Sequence, residues 1–159
     1  MGTEFNDWII GDSNTVTFNA PAGAVFDLVT QARFWPEWHV ANRGVGGVTE
    51  RPYRVGDVIY EAGLLEDGSE HHLYWHVVDQ EYGKSSLIID HELGAGLQYL
   101  LTEDGQGTTT FTRNTLYRPD APYSPAQIAL IAEASAESVR GLHRHISPLL
   151  ERERINTRR

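Results

Sequence analysis

The groups in this chain most able to do chemistry are seven histidines, Arg113 and a set of tyrosines. The histidines raise the question of a metal site first. His72 and His76 stand four apart, which suits one face of a helix. In a strand that spacing separates them by about 13 Å, too far to share an ion. His143 and His145 fall in a predicted helix and point about 200° apart. There is no His-Glu-x-x-His pattern. The absence of cysteine excludes thiolate ligation, thiol catalysis and disulfides. No Gly-x-Ser-x-Gly elbow occurs, and Gly44, Gly46 and Gly47 lack the lysine and flanking helix of a phosphate loop. Neither a metal nor a cofactor is expected.

Acid–base chemistry in a pocket survives these exclusions. His91 and His71 could exchange protons near neutral pH. Arg113 could hold a carboxylate or stabilise an enolate, helped by Tyr60, Tyr99 or Tyr117. His91 and Arg113 are the expected catalytic pair. A plainer reading stands beside each: a core or surface histidine, and an arginine that reaches solvent at a cavity mouth.

The elements that would position these residues follow from periodicity. Val16 and Phe18 alternate with Thr15 and Thr17, which predicts a strand over 14–19. Ala20-Pro21 opens a helix with Val25, Phe26, Leu28 and Val29 as its apolar face. Pro36 suits the start of a second, short helix inside the knot Phe34-Trp35-Pro36-Glu37-Trp38-His39. Five alternating runs, 58–65, 70–79, 85–92, 97–103 and 108–117, then alternate with turn residues, and a less regular strand is expected near 45–49. Ser124-Pro125-Ala126-Gln127 has the form of a capping box. Ile128, Ile131, Ser135, Val139, Leu142 and Ile146 continue at helical spacing, with Pro148 expected to kink or unwind the helix.

Hairpin geometry predicts which side chains face inward. A two-residue turn at Asp67-Gly68 pairs Leu64 with His71, Ala62 with Leu73 and Tyr60 with Trp75. If the turn at Gly83 pairs Trp75 with Ile89, then Leu87, Ile89 and His91 join the same face. Tyr99, Leu101, Phe111, Arg113, Thr115 and Tyr117 extend it. Glu61, His72, Tyr74, His76, Asp90 and Glu92 fall on the opposite, solvated face. The expected ligand-binding residues on the sheet are Tyr60, His71, Trp75, Tyr99, Phe111, Thr115 and Tyr117. Ile131 and Ser135 join them from the long helix. Trp35 and Trp38 have two readings, core packing or pocket wall.

At 159 residues the chain fits one domain, with 1–12 and 152–159 expected to be flexible tails. A formal net charge of −9 makes nucleic acid and anionic lipid poor partners. No apolar run is long enough to insert into a membrane, and no secretory signal is recognisable, so a cytoplasmic location is expected. A monomer or a homodimer is equally compatible with this reading.

Four stretches carry a resemblance to a known family. They are Thr15-Val16-Thr17-Phe18-Asn19-Ala20-Pro21, Phe34-Trp35-Pro36-Glu37-Trp38, Arg54-Val55-Gly56-Asp57 and Gly107-Thr108-Thr109-Thr110-Phe111-Thr112-Arg113. Together they resemble the START/Bet v 1-like (SRPBCC) superfamily, which includes polyketide cyclase/dehydratase-like proteins. The resemblance implies an α+β helix-grip fold. In that fold a seven-stranded antiparallel sheet wraps a long C-terminal helix, and two short helices follow the first strand. It also implies a cavity between sheet and helix for a small hydrophobic or aromatic molecule, lipid-like or polyketide-like. The alternative it implies is a cofactor-independent cyclase, aromatase or dehydratase using acid–base chemistry in the same cavity. The superfamily has no universal catalytic motif, so the fold does not choose between them.

Overall fold

The computed structural model describes residues 3–157. Strand β1 spans Ile9–Phe18 and passes through Pro21, at the N-cap, into α1 (Ala22–Val29). α1 buries Val25, Phe26, Leu28 and Val29, the face its sequence predicts. A 3-10 turn at Ala32–Phe34 leads into α2 (Trp35–Trp38), with Pro36 in its first turn. Six strands follow: β2 (Asn42–Gly47), β3 (Val58–Leu64), β4 (Glu70–Glu81), β5 (Ser85–Asp90), β6 (Ala95–Glu103) and β7 (Thr109–Tyr117). α3 closes the chain over Pro125–Thr157. The strands form one antiparallel sheet in the order β1-β7-β6-β5-β4-β3-β2. The first strand starts at Ile9 rather than residue 14, and a 3-10 turn at Thr3–Phe5 precedes it, inside the stretch expected to be a tail.

The capping box is present and reciprocal. The Ser124 N–H donates to Gln127 Oε1 at 2.9 Å, and the Gln127 N–H donates to Ser124 Oγ at 3.1 Å. α3 continues through Pro148 without unwinding. Its small residues let it approach α2 closely. A Cβ on Gly141 would stand 2.7 Å from the Trp38 carbonyl oxygen, and the Val40 N–H donates to Ser138 Oγ at 3.1 Å. Val139, Leu142 and Ile146 are fully buried, and Leu142 and Ile146 join Phe18, Trp35, Trp38 and Phe111 in the core. Both tryptophans are therefore packing residues that seat α2 under α3.

The structure corrects the predicted register at two hairpins. Leu64 pairs with Glu70, and Ile59 with Trp75. The loop holds three residues rather than two: the Gly68 N–H donates to the Leu65 carbonyl, Gly68 has φ +84°, and the Leu65 N–H donates to the Ser69 carbonyl. This is a type I turn followed by a left-handed glycine that forms a bulge. The extra residue turns β3 over, so Ile59 and Glu61 face inward while Tyr60 faces out against Tyr74 and His72. The second slip comes between Val77 and Asp79, where β4 is irregular. Ile89 then pairs with His76, and Ile88 faces inward instead of Ile89. Leu87 and Ile89 build an outer cluster with Leu116, covered by Phe5 and Trp8. β6 and β7 keep the predicted faces, with Tyr99 opposite Arg113 and Leu101 opposite Phe111.

Candidate functional site

The inner faces of β3, β4, β6 and β7 and the underside of α3 enclose a cavity of about 70 Å³. It adjoins a groove of about 600 Å³ between α3 and the β3–β4 hairpin, and Ala41, Leu64, Leu65 and Ala134 line both. The inner space alone holds a few waters. The groove supplies the room that an organic molecule needs.

Arg113 dominates the electrostatics of the cavity. It lines the cavity from β7 and is only 1% exposed. Nη2 donates to His39 Nε2 at 3.0 Å and Nη1 donates to Ser135 Oγ at 3.3 Å. Nε has no partner. Both partners are neutral, and among the described residues no carboxylate lies within ion-pair distance, although Asp12 and Glu61 feel the charge from farther off. A guanidinium keeps its protons, so His39 Nε2 must accept. The Ala41 N–H faces Nδ1 at 3.3 Å, so both ring nitrogens meet donors and a protonated ring is disfavoured. Burial, reinforced by the Arg113 charge, pushes the His39 pKa down to about 3.

A file of polar groups runs from Arg113 along the roof of the cavity. Ser135 Oγ lies 3.4 Å from Thr115 Oγ1, and Thr115 Oγ1 donates to Asp12 Oδ1 at 2.9 Å. Asp12 follows the irregularity in β1 at Gly11, which lets its carboxyl reach under α3. Burial raises the Asp12 pKa against the lowering by Thr115 and Arg113, and Oδ2 has no partner. Tyr117 lines the cavity nearby with an unpartnered hydroxyl; burial and the Asp12 charge raise its pKa.

Glu61 projects into the same cavity from β3 and is 4% exposed. Oε2 accepts from Asn42 Nδ2 at 2.6 Å and Oε1 from Trp75 Nε1 at 3.1 Å. Burial raises its pKa, opposed by these two donors and by the Arg113 charge. His71 sits at the rim against Tyr123, ring centroids 5.9 Å apart. Burial lowers the His71 pKa against the attraction of Glu61. Burial and the Asp90 charge push Tyr123 up to about 12.

Of the residues predicted for a site, Arg113, His71, Trp75, Thr115, Tyr117, Ile131 and Ser135 come together on the cavity wall. Tyr99 and Phe111 lie buried beneath it, their rings 5.0 Å apart. Trp35 and Trp38 belong to the core, and Tyr60 to the outer face. The predicted inward placement of His91 is corrected: it lies exposed on the turn after β5, its ring tilted against His76 with centroids 5.1 Å apart, because the slip in β4 reverses which side chains of β5 face the cavity. Sequence reasoning missed His39, Glu61, Asp12 and Tyr123. Reading Glu66-Asp67-Gly68 as a glycine-bulge loop would have turned Glu61 inward. His39 carries no comparable local signal, since only the α2–α3 contact aims it.

The seven-stranded antiparallel sheet, the short helices after its first strand and the long C-terminal helix define a START/Bet v 1-like helix-grip fold. Solved structures similar to the chain include the KanY protein in solution, at TM-score 0.69 and 14% identity, covering 92% of this chain and 99% of that one. A START superfamily protein from Mycobacterium smegmatis aligns at TM-score 0.62 and 13% identity, over 88% of this chain and 96% of that one. The di-domain ARO/CYC BexL from the BE-7585A biosynthetic pathway aligns at 0.60 and 18%, over 84% of this chain and 48% of that one. These likenesses concern the fold. No protein-family model and no curated protein matches the chain. Among the described residues no helix is long and apolar enough to cross a membrane.

Proposed function

We propose that the protein binds a small, largely apolar molecule that presents an acceptor oxygen, such as a carboxylate, enolate or carbonyl, to Arg113. One observation carries this reading: a cation buried to 1% exposure on the wall of a mostly apolar cavity, hydrogen-bonded only to two neutral side chains, with Nε unpartnered. A buried charge in that condition is costly, and an incoming oxygen anion or carbonyl offsets the cost. The modest inner volume favours a guest whose polar end enters first and whose bulk occupies the groove.

Titration calorimetry with 2-naphthoate and naphthalene tests the reading. The carboxylate should bind the wild type at least about tenfold more tightly than the hydrocarbon, and Arg113→Met should erase that preference. Equal affinity of wild type and Arg113→Met for 2-naphthoate would refute it.

A second reading is supported by the polar file of Asp12, Thr115 and Ser135 beside Arg113. It is an aromatase- or cyclase-like enzyme, the class named for BexL. Arg113 would stabilise an enolate oxygen, and Thr115 would relay a proton to Asp12, whose raised pKa suits an acid–base role. An aromatic chromophore formed from a linear poly-β-ketone thioester, and lost in Asp12→Asn, would favour it over binding alone.

A further inference from the structure

We infer that the cavity selects a bifunctional guest, one with an acceptor oxygen for Arg113 and, at its other end, a hydroxyl that donates to Glu61. This rests on the Arg113 reading above and adds a second point of recognition.

Both residues line one cavity but stand on different walls, Arg113 on β7 and Glu61 on β3. Glu61 feels the Arg113 charge, yet the two side chains do not form an ion pair. Between them the wall is apolar, with Leu73, Trp75 and Leu97. The two ends are opposite in hydrogen-bonding character. Arg113 offers donors only, and its Nε–H makes no hydrogen bond. Glu61 offers acceptors, and each of its oxygens has used one lone pair, on Asn42 Nδ2 or on Trp75 Nε1. The Asn42 amide that donates to Glu61 leaves its own Oδ1 buried and unpartnered, so this end holds a surplus of acceptors.

A role confined to holding Asn42 and Trp75 does not account for a carboxylate here. Both partners are neutral, and both are 4% exposed. One glutamine Oε1 has two lone pairs and could serve two N–H donors at lower desolvation cost. A carboxylate adds the capacity to take a further donor strongly. A simple fatty acid or an aromatic monocarboxylate satisfies Arg113 and leaves Glu61 unmet. A hydroxylated aromatic acid or a hydroxy-ketone satisfies both ends.

The experiment compares 2-naphthoate, 6-methoxy-2-naphthoate and 6-hydroxy-2-naphthoate by titration calorimetry on the full chain. The hydroxylated acid should bind the wild type about tenfold more tightly than either of the others, and Glu61→Gln should reduce that advantage to about threefold or less. Affinity for 2-naphthoate should rise in Glu61→Gln, because a negative charge leaves the cavity that takes the carboxylate, an outcome that general damage to the cavity would not produce. Equal binding of the hydroxy and methoxy acids to the wild type overturns the inference and leaves the Arg113 reading standing. Failure of all three acids to bind overturns both. The wild-type ranking decides the matter even if the variant does not fold.

Discussion

Arg113 Nη2 donates to His39 Nε2 at 3.0 Å, joining the last strand to the turn after α2 across 74 positions of sequence. The contact orients the guanidinium along the cavity and holds a histidine neutral in a place where a second positive charge would be repelled.

His39 should make the protein acid-sensitive. The unfolded chain protonates this histidine near pH 6.5, whereas the folded protein resists until about pH 3. The unfolded state therefore binds more protons in that window, and stability falls as pH drops through 6.5 toward 3. Between pH 7 and pH 5 the loss should be about 2 kcal/mol. Asp12 and Glu61, with raised pKa values, act in the opposite sense, so the comparison must be with His39→Asn. Urea denaturation at the two pH values should show a smaller acid loss in the variant; an unchanged difference would remove His39 as the cause.

Arg113→Met should lose ligand affinity without losing stability. The arginine is buried without an ion pair, and an apolar side chain of similar length removes that desolvation penalty. The thermal midpoint is expected to stay level or rise, by up to about 3 kcal/mol in free energy. A large drop would mean that the hydrogen bonds to His39 and Ser135 outweigh the burial of charge.

The bulged register of β3 predicts opposite outcomes at two neighbours. Ile59 is fully buried and Tyr60 packs outward. Ile59→Ala should cost about 2–5 kcal/mol, and Tyr60→Ala about 1 kcal/mol or less. The reverse ranking in chemical denaturation would restore the two-residue turn.

Gly141→Ala should destabilise even though alanine is the better helix former by about 1 kcal/mol. The added methyl meets the Trp38 carbonyl oxygen, a backbone atom that cannot rotate away. A net loss of about 1–3 kcal/mol is expected. Because His39 follows Trp38, affinity for 2-naphthoate should weaken in the same variant. A higher melting temperature would show that α2 yields at little cost.

Legibility in the sequence divided along physical lines. The alternation in β6 and β7 placed Arg113, Thr115 and Tyr117 inward, and Ser124 with Gln127 marked the start of α3. These are local regularities, set by a two-residue strand period and by reciprocal capping. The motifs at Thr15–Pro21, Phe34–Trp38 and Gly107–Arg113 pointed to the helix-grip fold, because an order of elements can be read one element at a time.

What the sequence alone determined was the set of elements, the fold and the cation facing the cavity. What only the tertiary structure decided was that cation's company. A single extra residue in the Leu65–Ser69 loop turned Glu61 inward and Tyr60 outward, and a slip in β4 carried His91 to the surface. His39 reaches Arg113 only because Gly141 and Ser138 let α2 settle against α3. A one-residue change of register inverts a whole strand, and a helix contact depends on atoms nearly a hundred residues apart, so neither leaves a trace in local periodicity.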